Sequence, residues 1–168
     1  NAWVAISQMQ VHYQKYGGAY VPGVELMLAE RLGQAALSLI VDELGGIRMA
    51  KGIDNISTEN VISWYTAFKM LYELTGKSEY QTAMQKMEQF LVYAFDNTTK
   101  RFCQSAYKEG TWQKYGEFVT DVHTWAIAAL GPQRIDELFG AGTAYAIWQA
   151  IKTHAGQYDA GVLREVGR

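Results

Sequence analysis

The sequence predicts an all-α fold of tandem helical hairpins joined by short extended links, and three observations carry that reading. Trp3, Trp64 and Trp125 stand 61 residues apart. Each opens a stretch whose apolar residues recur with helical period. Behind the first two, Tyr13 and Tyr72, Gly17 and Gly76, and Tyr20 and Tyr80 recur in matching order, so one supersecondary unit is copied along the chain. Such a unit cannot bury its apolar face alone and must stack on a neighbour. The units run over about 1–56, 57–118 and 119–156 of a single domain, the third cut short at Gly131-Pro132.

Each element has its own signal. A first helix is expected over 2–16, with Trp3, Ile6, Val11 and Tyr13 inward and Gly17-Gly18 as its stop. A second starts near Pro22, a good first-turn residue, and its face Val24, Leu28, Leu32, Ala35 and Leu39 runs on to Gly45-Gly46. Ile47 to Met49 reads as a short extended piece. Ser57 is the expected cap of a third helix with the stripe Val61, Trp64, Phe68, Leu71 and Tyr72, ended by Gly76. Ser78 with Gln81 reads as a capping box for a fourth, whose face is Tyr80, Met84, Met87, Leu91 and Ala94. Two short strands are expected around Glu109-Gly110. Thr120 or Asp121 caps a fifth helix, a short helix follows near 133–139, and another spans about 142–154. The tail from Gly156 carries little local signal.

Bulk properties exclude several classes. With 168 residues, one domain with a substantial core is expected. The 49% apolar and 19% charged shares rule out a disordered chain. A net charge of −2 without a basic run leaves no footprint for nucleic acid. No apolar run is long enough for a membrane span. Cys103 is the only cysteine, which excludes an internal disulfide and a cysteine-built metal site. His12, His123 and His154 lack zinc-type spacing, no phosphate-cradling glycine loop occurs, and no metal or cofactor is expected. The chain opens at Asn1 without Met, inside a helical pattern, which reads as truncated or processed upstream, so cytoplasmic and extracytoplasmic locations both stand.

Several segments, taken in order, resemble a known group: NAW at the start, GGIR at 45–48, STEN at 57–60, LTGKSEY at 74–80, KRF at 100–102 and TDVHTWAIAALGPQRIDELFG at 120–140. They are similar to bacterial and archaeal proteins of the six-hairpin glycosidase-like superfamily, over roughly 1–154. The resemblance implies an (α/α)6 toroid, of which three units make about half. It implies that helix starts face a central cavity where sugar binds. The matching positions are Glu59, Asn60 and Asp121, with His123 and Arg48 beside them. Val61 stands where such proteins carry Asn, and Ser63 where they carry Asp.

The chemistry expected is carbohydrate chemistry. Glycosidic hydrolysis needs one carboxyl group to protonate the leaving oxygen and another to activate water or attack the sugar. Glu59 and Asp121, each just ahead of a Trp-bearing helix stretch, are the natural pair, with His123 as a further proton carrier. Asn60, Trp64, Tyr65, Arg48, Trp112 and Trp125 are the candidate substrate-binding residues, the aromatics because their faces suit sugar rings. Helix-start capping explains Glu59 and Asp121 equally simply, and core packing explains the Trp residues. The Val61 and Ser63 departures favour an alternative: a non-catalytic glycan-binding or scaffold repeat. A further alternative is a lyase or epimerase with Tyr65 or His123 as base. Apolar flanks of the repeat are expected to be covered by further chain, another protomer or another subunit.

Overall fold

The computed structural model describes residues 2–166. Seven helices hold 58% of the described residues: α1 (Ala2–Tyr16), α2 (Val24–Leu37), α3 (Thr58–Thr75), α4 (Ser78–Ala94), α5 (Thr120–Leu130), α6 (Pro132–Phe139) and α7 (Thr143–Ala155). The all-α expectation fails, because a further 16% is strand in three small antiparallel sheets, making the architecture mixed. The strands are β1 (Asn55–Ser57), β2 (Phe95–Asp96), β3 (Arg101–Phe102), β4 (Ser105–Glu109), β5 (Thr111–Tyr115), β6 (Gly156–Asp159) and β7 (Val162–Val166). The physical reason is local and then non-local. Gly110, at φ +73°, turns β4 back onto β5, and β1 then adds to the free edge of β4 with Ile56 opposite Ala106. Residues 156–166 form a hairpin turned at Ala160 and Gly161.

Helix α3 is the axis of the fold. It packs against α1, α2, α4 and α5, and Val61, Ile62, Trp64, Tyr65, Phe68 and Leu71 are all buried around its circumference. A helix apolar on every side belongs inside a domain, which is where this one lies. Tyr80 and Phe90 of α4 and Leu26 of α2 complete the core beside it. On the far side, Arg134 of α6 grips the nearly buried Glu88 of α4 with a forked pair of bonds at 2.8 and 2.7 Å. Asp136 then caps α7, accepting the Gly142 and Ala144 backbone N–H groups at 2.9 Å each; these bonds hold its carboxyl below the usual range.

Several expected boundaries move. α2 ends at Leu37, well before Gly45-Gly46, because the chain from 38 to 48 folds onto α4 instead. There Gly46 donates its N–H to the Lys86 carbonyl (3.0 Å), and Ile47 meets Ile40 in a single bridge rather than a strand. Ser57, Ser78, Thr120 and Asp121 do not cap by side chain; the capping positions of α3, α4 and α5 are Ser57, Lys77 and Val119, none with a side-chain cap bond. Exposed apolar residues collect on α1 (Trp3, Val4, Val11, Tyr16) and α2 (Val24, Met27, Leu28). No helix among the described residues is long and apolar enough to cross a membrane.

The 38–48 segment depends on close approach. A Cβ at Gly45 would lie 2.3 Å from the Lys86 carbonyl oxygen, and φ there is +73°. Gly52 has a similar φ of +77° but open space around it. Gly45→Ala is expected to cost about 3 kcal/mol from overpacking plus backbone strain, and Gly52→Ala about 1 kcal/mol from strain alone. Urea denaturation of the two variants measures this; equal losses would remove the close-packing account.

Candidate functional site

The site is built by three helix starts and one short strap. Thr58, at the start of α3, donates its N–H to the Gln104 carbonyl (3.0 Å) and its hydroxyl to the Cys103 carbonyl (2.6 Å). Phe102 donates its N–H to Nε2 of His123, one turn inside α5 (3.1 Å). Phe102, Cys103 and Gln104 are consecutive, and such a stretch spans at most about 7 Å. The first turns of α3 and α5 are thereby held at one end of the molecule. Glu59 follows Thr58 directly and Asp121 precedes His123 by two residues, so both belong to these two first turns, although neither lines the cleft beside them.

That cleft, of about 240 Å³, lies between α1 and α5 and is floored by α3. Its lining follows helical spacing. From α3 come Ile62, Ser63 and Thr66, three, four and seven residues beyond Glu59; from α5 comes Trp125, four beyond Asp121; from α1 come Trp3, Ile6 and Gln10. Glu59 and Asp121 therefore occupy the same faces as the cleft, one turn nearer the helix starts. The rings of Trp3 and Trp125 meet at 4.7 Å between centroids, inclined by 57°, so α1 and α5 touch across α3. Trp3 is 52% exposed, which leaves much of its indole open to a ligand. Ser63, Thr66 and Gln10 add hydroxyl and amide groups to an otherwise apolar wall.

The remaining sequence-predicted residues do not converge here. Asn60 and Trp64 turn towards α2, where with Arg48 they line a separate cleft of about 240 Å³ with Leu32, Ala35 and Met49. Arg48 is engaged there by Asp54 at 3.0 Å. Trp64 is buried, its ring 5.3 Å from that of Phe68. Tyr65 is buried on the α4 side of α3; burial first, and the Glu88 carboxylate second, push its phenol up to about 12. It is neither a sugar platform nor a base at neutral pH. Trp112 lies on the β4–β5 hairpin with its indole N–H tied to Glu43 (2.5 Å), a bond Lys108 shares at 2.6 Å.

His123 also departs from its expected catalytic part. It is fully buried, its Nδ1–H donates to the Val119 carbonyl (2.7 Å) and its Nε2 accepts from Phe102, so no ring nitrogen is free. Phe118 stacks on it at 4.3 Å. Sequence reasoning missed Trp3, Ser63, Gln10 and Thr66 as lining residues. The usable signal was the four-residue step from Glu59 to Ser63, which repeats that from Asp121 to Trp125. Among the described residues no cluster of His, Cys, Asp and Glu can hold a metal ion. No protein-family model and no curated protein matches this chain.

The strap makes His123 a pH-sensitive support. Burial lowers its pKa below the ordinary value of about 6.5, so the unfolded chain takes up a proton before the folded one does. The stabilisation is complete above about pH 6.5 and is lost as pH falls from there through the folded-state value. Thermal melts between pH 7.5 and 5 are expected to show this decline, with a shallower one in His123→Phe. That variant also loses about 2 kcal/mol at pH 7.5, as two buried backbone groups lose their partner. A variant with unchanged melting at both pH values would return His123 to the list of catalytic candidates.

Proposed function

We propose that this chain is a carbohydrate-active domain that takes a sugar ring or short glycan into the α1–α3–α5 cleft and hydrolyses a glycosidic bond between Glu59 and Asp121. The single observation that supports the reading is the strap, which ties the first turns of α3 and α5, where Glu59 and Asp121 stand, to one short stretch of chain beside an indole-walled cleft. Indole faces suit the C–H faces of sugars, and Ser63, Thr66 and Gln10 offer the hydrogen bonds that hydroxyl groups require. In this scheme one carboxylic acid gives its proton to the leaving oxygen, and the other carboxylate takes one from the attacking water or bonds to the sugar. The likeness of STEN and TDVHTW to the six-hairpin glycosidase-like proteins supports the same assignment. Further chain, another protomer or another subunit laid over the exposed faces of α1 and α2 would wall the cleft more fully.

A second reading, glycan binding without turnover, is favoured by one observation: Ser63, where related proteins carry Asp, lines the cleft itself. The lyase or epimerase reading loses support, because Tyr65 is buried with a raised pKa and both nitrogens of His123 are engaged.

Reducing-end release from a panel of oligosaccharides separates these readings. Hydrolysis by the unaltered chain is expected to fall roughly 10²–10⁴-fold in Glu59→Gln and in Asp121→Asn. Trp125→Ala is expected to weaken glycan binding with Glu59 and Asp121 intact. Binding without release in the unaltered chain selects the second reading. If no oligosaccharide binds, or if Trp125→Ala binds as well as the parent, the cleft is not a sugar site.

A further inference from the structure

On the other side of the strap, Phe102 and Cys103 help line a second cleft, of about 230 Å³, closed by Arg101, Lys114, Thr99, Asp96, Glu117 and Phe118. Its two cations lack a direct carboxylate partner. Arg101 meets the ring Nε2 of His154 through Nη2, lies 5.5 Å over the Phe118 ring, and keeps its Nε sealed without a partner. Lys114 rests on neutral groups as well: the Phe95 carbonyl at 3.3 Å and the Tyr93 ring at 5.2 Å. Among the described residues neither forms a salt bridge. Guanidinium and ammonium groups that border one cleft with no carboxylate in salt-bridge reach can take one from a ligand.

We infer that this cleft binds the carboxylate of a small organic acid between Arg101 and Lys114, with Phe118 as its apolar wall. The two acidic groups present set the valence of the ligand. Asp96 stands opposite Arg101 in the β2–β3 ladder, but both its oxygens are engaged, by the Thr98 N–H (2.8 Å) and the Thr99 hydroxyl (2.9 Å), and it forms no salt bridge with either cation. Glu117 is exposed, and its charge opposes a dianion more than a monoanion. Phe118 is fixed by its stack on His123, so the wall is preorganised. The inference stands whether or not the α1–α3–α5 cleft takes sugar. A sugar acid and a simple carboxylic acid share the chemistry that this cleft recognises.

Titrations of the full chain at low ionic strength, followed by amide NMR shifts, test it with glucuronate, acetate, glucose and inorganic phosphate as probes. Saturable shifts around Arg101, Lys114 and Phe118 are expected with glucuronate or acetate and none with glucose. Glucuronate binding well ahead of acetate identifies a sugar acid; similar affinities identify any small carboxylate. Lys114→Gln, on an exposed strand, is expected to weaken binding about tenfold, as for the loss of one charge-assisted bond. Arg101→Gln should weaken it further, though it also removes the His154 contact. No saturation with either carboxylate, phosphate binding more tightly than both, or unchanged affinity in Lys114→Gln would overturn the inference.

Discussion

The starts of α3 and α5, and both clefts beside them, depend on backbone groups of three consecutive residues. Phe102, Cys103 and Gln104 give one N–H and two carbonyls to the starts of α3 and α5. Helix starts leave N–H groups without intrahelical partners, so they are natural points of attachment. At α3 the strap meets that need through Thr58. At α5 it works through a side chain, with His123 relaying the bond from Phe102 to the Val119 carbonyl. Because Cys103 also donates to Ala94 at the end of α4, the strap anchors to three helices at once. This arrangement ties together the two turns that carry Glu59 and Asp121, and it gives the second cleft its back wall.

How much of this was legible in the sequence varies with the range of the interaction. The Trp repeat and the apolar periodicity located α1, α3, α4 and α7, and Gly76 closes α3 in the left-handed conformation at φ +67°. These are local signals. The sheet was not legible in the same way. A hairpin at Glu109-Gly110 could be expected, but β1 joins it through pairing across about fifty residues, and Asn55–Ser57 carries no alternation of its own. α2 stopped early for a tertiary reason, the docking of Gly45 and Gly46 onto Lys86 and Phe90.

The site divides along the same line. Glu59 and Asp121 were placed by their spacing ahead of Trp64 and Trp125. Their companions were not, because α3 is buried on all sides and its apolar residues give no clue to which neighbour each one meets. Thus Asn60, Trp64 and Tyr65, adjacent in sequence to Glu59, turn to α2 and α4 rather than to the cleft. Trp3 and Trp125, though aligned with Trp64 by the repeat, share an environment with each other and not with it. A helix with four packed neighbours distributes consecutive side chains among them at about 100° steps.

The indole contact between Trp3 and Trp125 joins the first turn of the chain to its final third. Closing so long a loop is entropically slow, and the helices between must already be docked for the two rings to meet. The hollow they guard therefore depends on the central scaffold as well as on the two helices that meet there. Conversely, detachment of α5 alone would dismantle it while most of the molecule stayed folded. Local opening of the C-terminal third and the availability of the hollow are one equilibrium seen from two sides.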